Sequence, residues 1–272
     1  MNNKMTNSPA PTTLRVALIG AGAMGGDIAQ ALNQQAIPGA RLVAVLTRSA
    51  TSVRADGAAA VTTLAALLAQ KPDVIVECAG ADAFAAHVPG ALAAGVDVIA
   101  VSMAAMARLE VEAAINAISN KQSGSLLFAS GAVGGLDALS AAREGGLTRV
   151  EVIQRKPPAA LLDAAEAAAL SEARIVKRAS AREVALALPQ NSNVAAAAAI
   201  AGLGFDATQV TVIADPAVSR NTVELEAQGR FGSFRMVIEN HPSPANPKTS
   251  MTPAMSVLAA LRRRTSRIRI PA

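Results

Sequence analysis

Gly20-Ala21-Gly22-Ala23-Met24-Gly25 stands between the apolar run Leu14 to Ile19 and the helical pattern Asp27 to Asn33, and this order of strand, tight turn and helix decides the fold. Gly20 allows the turn. Gly22 lets the backbone approach a pyrophosphate, and Gly25 permits close packing of helix on strand. The N–H groups of Ala23 and Met24, at a helix start where no intrahelical acceptor exists, face the phosphates. The segment predicts a Rossmann dinucleotide-binding unit.

Working outward, strand-like runs alternate with alanine-rich helical ones: Arg41 to Leu46, Val74 to Cys78, Val96 to Val101 and Ser125 to Ser130. Such alternation predicts a parallel α/β sheet. Thr62 to Gln70 reads as a helix, and Ala83 to Ala94 as another that Pro89-Gly90 breaks internally or at its start. The small residues Cys78, Ala79 and Gly80 end a strand and suit close passage beside a cofactor. After Gly131 to Gly135, read as a flexible passage, the strands Arg149 to Gln154, Ala173 to Lys177, Gln209 to Ala214, Val223 to Ala227 and Ser233 to Glu239 alternate more clearly. They predict a second α+β domain on a mixed, half-exposed sheet, with helices at Leu136 to Arg143, Ala181 to Leu188 and Val194 to Ala201. The expected division is 13–133 for the dinucleotide domain and 134–249 for a substrate-binding and dimerisation domain. Pro242 to Pro247 reads as a rigid loop, and the helix of residues 250–264 is expected to return to the first domain.

The second strand's end bears on the choice of cofactor. An acid about 20 residues past the glycine loop would hydrogen-bond a ribose 2′-hydroxyl, but the chain continues Thr47-Arg48-Ser49. A hydroxyl and a guanidinium suit a 2′-phosphate, so Thr47 and Arg48 favour NADP, with NAD possible.

Composition agrees with a soluble enzyme: 272 residues at 51% hydrophobic content can bury two cores. No apolar stretch has membrane-spanning length, the lead-in Met1 to Thr13 is polar rather than a secretory signal, and a cytoplasmic protein is expected. Cys78 is the single cysteine, so no internal disulfide is available. The net charge of +5 rests on Arg262, Arg263, Arg264, Arg267 and Arg269, without which it is zero. With no Trp or Tyr to stack on bases, nucleic acid is excluded as a partner, and the arginines read as a solvated helix end and tail. No metal-ligand cluster is present in the sequence pattern.

Several longer motifs follow one another in order: Glu77-Cys78-Ala79-Gly80, Ser130-Gly131-Ala132-Val133-Gly134-Gly135-Leu136-Asp137, Arg155-Lys156-Pro157-Pro158, Pro189-Gln190-Asn191-Ser192-Asn193-Val194, Gly229-Arg230-Phe231-Gly232 and Pro242 to Ser250. Together they resemble the L-aspartate dehydrogenase family, from Leu14 to about Leu261. The resemblance implies NAD(P)-dependent, reversible deamination of L-aspartate through an imine to oxaloacetate and ammonia, and a homodimer. By position it implies that Ala132 and Asn193 touch the cofactor. Asn193 also reads as a helix cap. Arg155 and Lys156 can hold a dicarboxylate, one by a fork and one as a point charge.

One position departs from the family. Its catalytic histidine lies in a segment Asn-x-His-x-hydrophobic-Glu, and here the segment is Asn221-Thr222-Val223-Glu224-Leu225-Glu226. Valine supplies no proton, and general acid–base help is worth about 10²- to 10⁴-fold. Two histidines exist, His87 in a helical stretch and His241 after a strand end; His241 is the candidate for a relocated imidazole, and Lys156 is the other catalytic candidate. Reduction of a preformed imine needs no activated water, so an NADPH-dependent imine reductase is the alternative, and a nucleotide-binding sensor a more distant one. An alternating strand points Glu224 away from Val223.

Overall fold

The computed structural model describes residues 13–48, 57–118, 122–189, 192–243 and 246–270. The expected polar lead-in lies outside these except for Thr13, as do Ser49, Gln190 and Asn191.

The first sheet has six strands: β1 (Leu14–Ile19), β2 (Ala40–Leu46), β3 (Ala59–Val61), β4 (Val74–Glu77), β5 (Asp97–Ala100) and β6 (Leu126–Phe128). Their order is β3-β2-β1-β4-β5-β6 and every pair is parallel, the Rossmann arrangement. Strands β1 and β4 are almost continuously apolar because helices cover both faces. Those helices are α1 (Ala23–Asn33), α2 (Leu64–Ala69), α3 (Ala81–Ala93) and α4 (Leu109–Asn116), with a 3₁₀ turn at Met103–Ala107 before α4. The Thr63 side chain caps α2 by accepting from the Ala66 N–H.

Pro89 does not break α3, which runs through it. A proline forfeits one helical hydrogen bond, and the burial of Phe84, Val88, Ala91 and Leu92 holds the helix against that loss. At the next residue, a side chain on Gly90 would come within 2.9 Å of the Leu64 side chain, so the glycine also lets α2 lie against α3.

The second sheet is mixed, in the order β11-β10-β7-β9-β8. Its strands are β7 (Leu147–Lys156), β8 (Arg174–Ser180), β9 (Gln209–Ala214), β10 (Asn221–Gly229) and β11 (Gly232–Asn240). Only β7 and β9 run parallel. Helices α5 (Leu136–Glu144), α7 (Ala181–Ala187) and α8 (Asn193–Ala201) cover one face, while the short α6 (Ala164–Ala169) lies in the β7–β8 connection. A capping box of Ser180 and Glu183 starts α7.

Two expectations are corrected between the sheets. The Gly131 to Gly135 passage is anchored: the Gly131 N–H donates to Ser256 Oγ at 3.0 Å, and Asn240 Nδ2 donates to the Ala132 carbonyl at 3.1 Å. The expected loop at Pro242 to Pro247 contains instead β12 (Pro242–Ser243) and β13 (Asn246–Ser250), paired antiparallel. Proline at the start of such a short ribbon needs no ladder N–H.

Helix α9 (Thr252–Thr265) packs Val257, Ala260 and Leu261 into the core formed by β1, α1 and β2. Its arginines are not simply solvated. Arg264 pairs with Asp97, and Arg262 donates to the Ala36 carbonyl at 2.6 Å. Arg182 of α7 ties the two units together. It forks onto Asp206, reaches Glu112 and the Ala107 carbonyl, and stacks on Phe205.

Candidate active site

The glycine loop has the geometry its spacing predicts. Gly20 has φ +111°, and a Cβ there would meet Ala79 Cβ at 2.9 Å. A Cβ on Gly25 would meet the Gly20 carbonyl oxygen at 2.2 Å, so this glycine serves helix-on-strand packing. Gly22, the N-cap of α1, is the opposite case, with nothing within 4 Å of its missing Cβ. Open space over a helix N-terminus that carries no acid in its first turn fits a pyrophosphate. Ala23 is the first residue of that helix.

A cleft runs over this loop, lined by Gly20, Gly22, Thr47, Arg48, Cys78, Ala79, Asp82 and His87. It brings together the expected phosphate loop and the Thr47-Arg48 pair. Behind it stands Glu77, fully buried at the end of β4. Its Oε1 accepts from the Ala79 and Gly80 N–H groups at 2.8 and 3.0 Å and from Ser102 Oγ at 2.9 Å. Burial pushes its carboxyl above the usual range, against the pull of those bonds. Glu77 therefore shapes the Cys78-Ala79-Gly80 turn against Gly20. The Gly80 N–H is spent on this network, and Gly80 does not line the cleft. Cys78 Sγ points back to the Ile19 carbonyl at 3.4 Å, and burial pushes its thiol far up, so it stays protonated.

A second cleft is lined on one side by Met24, in the first turn of α1, and on the other by residues of the second sheet. It is lined by Met103, Gly131, Ala132, Asn193, Ser250 and Pro253 from loops and helices and by Gln154, Lys156, Asn221 and Val223 from the second sheet. The sheet places these four by alternation. Gln154 and Lys156 are two apart on β7, Asn221 and Val223 two apart on β10, and Val223 pairs with Gln154 in the antiparallel register.

Lys156 is 9% exposed, and burial pulls its ammonium down from the ordinary 10.5 to about 8. It stays charged at neutral pH and can lose its proton just above it. Gln154 is 1% exposed, and its Nε2 has no hydrogen-bond partner among the described residues. The sequence reading passed over Gln154. A signal existed, for Val150, Val152, Gln154 and Lys156 share the buried face of one strand, and polar residues there break an otherwise apolar row.

Other expected residues fall elsewhere. Arg155 points to the opposite face of β7 and pairs with Asp215 at 2.8 Å, so it does not join Lys156. Glu224 likewise faces away from Val223 and pairs with Arg235. His241 is exposed and does not line the cleft, because it follows β11 at its outer end, where its carbonyl accepts from the Met251 N–H. His87 lines the dinucleotide cleft, away from Val223. Asn193 is the first residue of α8 rather than its cap, and its Oδ1 accepts from the Ala104 N–H at 3.0 Å, fixing the amide at the cleft mouth. Among the described residues no group of His, Cys, Asp and Glu is arranged to hold a metal, and no helix is long and apolar enough to cross a membrane.

The chain is similar to known proteins along most of its length. Residues 137–264 match the family described as aspartate dehydrogenase, C-terminal, and residues 20–129 match the homoserine dehydrogenase NAD binding domain. The chain is 39% identical to L-aspartate dehydrogenase from Ruegeria pomeroyi over 96% of each chain. It is 39% identical to L-aspartate dehydrogenase from Pseudomonas aeruginosa over 91% of this chain and 96% of the relative. The crystal structure of aspartate dehydrogenase from Thermotoga maritima superposes with a TM-score of 0.78 at 25% identity, covering 95% of this chain and 99% of that one.

Proposed function

The chain belongs to the L-aspartate dehydrogenase family, and from that premise we propose that it interconverts L-aspartate with iminoaspartate, and so with oxaloacetate and ammonia, using NADP in preference to NAD. The observation that carries this reading is Lys156, a buried cation in the lining of the second cleft, where a carboxylate substrate needs a counter-charge. Gly20, Gly22, Ala23, Met24, Thr47, Arg48, Ala79, Ala132 and Asn193 would hold the dinucleotide, with Thr47 and Arg48 on the 2′-phosphate. The cofactor, when bound, accepts or supplies the hydride. Lys156 anchors the substrate and, with an ammonium near 8, takes or gives the proton that the family's histidine handles.

In this reading residues 134–249 bind substrate and pair two copies in a cytoplasmic homodimer. The half-exposed sheet face, with Ile175 and Val237 uncovered, supports that role. A second reading, reduction of a preformed imine by NADPH, is favoured by Val223, which is buried in the cleft wall where the family carries its histidine.

The test is the initial rate of NADPH and NADH oxidation with oxaloacetate plus ammonia, for the wild type and Val223→His, beside a panel of cyclic imines. Turnover of oxaloacetate by the wild type, faster with NADPH, supports the first reading. Turnover only after Val223→His refutes it and assigns the natural substrate to the imine class.

A further inference from the structure

The cleft wall contains one polar group that neither the fold nor the resemblance uses. Gln154 is 1% exposed, and its Nε2 has no hydrogen-bond partner among the described residues. A buried amide nitrogen in that condition costs stability, so a native structure that keeps one gives it a partner at some stage of its work. Packing does not demand a glutamine there, since Val150 and Val152 fill the same face of β7 with hydrocarbon. Gln154 lies in the cleft lining with Lys156, two residues further along that face. Across the ladder it pairs with Val223, the position of the missing imidazole.

We propose that Gln154 is a substrate-contacting residue: its Nε2 donates to a carboxylate oxygen of the substrate, and with the Lys156 ammonium it forms a two-point carboxylate site on β7. The amide has no proton to exchange at working pH, so Gln154 binds and orients, and proton transfer stays with Lys156. The inference rests on the reading of this cleft as the substrate site.

The experiment compares wild type with Gln154→Leu and Gln154→Met by three readouts: NADPH affinity from its fluorescence, thermal unfolding, and displacement titration of the protein–NADPH complex with succinate as a carboxylate probe. NADPH binding is expected to stay within about twofold, and the unfolding temperature to hold or rise, because removing an unpartnered donor relieves its desolvation. Succinate affinity is expected to fall by about 10- to 100-fold, the worth of a hydrogen bond to a charged group. In turnover with oxaloacetate, KM rises by a similar factor and kcat changes less.

Unchanged succinate affinity in a variant that still binds NADPH overturns the proposal, as does failure of the wild type to bind succinate. Unfolding of both variants also overturns it, since the amide nitrogen would then be serving the fold. Loss of succinate affinity in a protein that never turns over oxaloacetate keeps the carboxylate site and rejects aspartate as the substrate.

Discussion

Replacing Lys156 with methionine tests the centre of the site, because one substitution has opposite consequences for stability and activity. Burial lowers the ammonium from 10.5 to about 8. At about 1.4 kcal/mol per pH unit, the charged form is then about 3 kcal/mol worse off in the folded chain than in the unfolded one. The penalty is fully present at pH 7, where both states hold the proton. It shrinks as pH rises through 8, because the folded chain sheds its proton first, and it is gone near 10.5. Lys156→Met keeps the hydrocarbon stem and removes the charge, so it should be more stable than the wild type by up to about 3 kcal/mol at pH 7. That advantage should fade by pH 10. Guanidinium unfolding of both proteins at pH 7, 8.5 and 10 measures it. The difference between the two curves cancels other titrations, including Cys78, whose raised thiol works in the opposite direction. A stability gap that stays constant with pH, or a variant less stable at pH 7, would refute the reasoning.

Activity should move the other way. In the proposed reading the cationic lysine holds the carboxylate and gives a proton in reductive amination, so kcat/KM should fall as pH rises through about 8, while in amine oxidation kcat should gain and KM for aspartate should rise over the same interval. Lys156→Met should lose both limbs and at least about 10²-fold in rate.

The dinucleotide cleft supports three further expectations. Gly25→Ala drives its methyl into the Gly20 carbonyl and should yield little folded protein, whereas Gly22→Ala meets no neighbour and should fold normally while weakening NADPH binding, as circular dichroism and fluorescence titration would show. Arg48→Ala should weaken NADPH by about 10- to 100-fold and leave NADH nearly unchanged; equal losses for both would remove the 2′-phosphate role. Glu77→Ala leaves the Ala79 amide without its acceptor and the Gly80 amide with Ser102 Oγ alone, and should lower NADPH affinity by about tenfold, with a stability loss of about 1–3 kcal/mol by denaturant titration.

Much of the first sheet was legible because each strand is a short apolar run bounded by glycine or proline, and the glycine loop fixes where β1 ends and α1 starts. Strand β3 was not, since three small residues, Ala59 to Val61, carry no period of their own and are held only by pairing with β2. The second sheet was legible from its alternation, but alternation shows only that two faces differ. It does not show which face a loop closes over. Arg155 and Lys156 are equally basic and adjacent, yet one lies outside on Asp215 and the other inside the cleft. His241 failed for a related reason: proximity to the strand end says nothing of direction, and its side chain is exposed while Ser250 of the ribbon that follows lines the cleft. The long-range contacts that close the site, Asn193 to Ala104 and Asn240 to Ala132, join residues 89 and 108 apart and leave no local signature.

Strand β7 shows how one element serves core and chemistry together. Its inward row begins with Val150 and Val152, sealed under α5 and α8, and ends with Gln154 and Lys156, which the same helices leave open to the cleft. The valines bury hydrocarbon and hold the strand in register; the last two positions bury a cation and an amide at a net cost. An anion that accepts from the Gln154 Nε2 would offset part of that cost. Val223 follows the same logic from the other side. Valine offers Gln154, which it faces across the ladder, no acceptor, so in the proposed site that donor is left to the substrate. In the proposed site, substrate binding and proton transfer fall to two residues of one strand, Gln154 and Lys156 of β7.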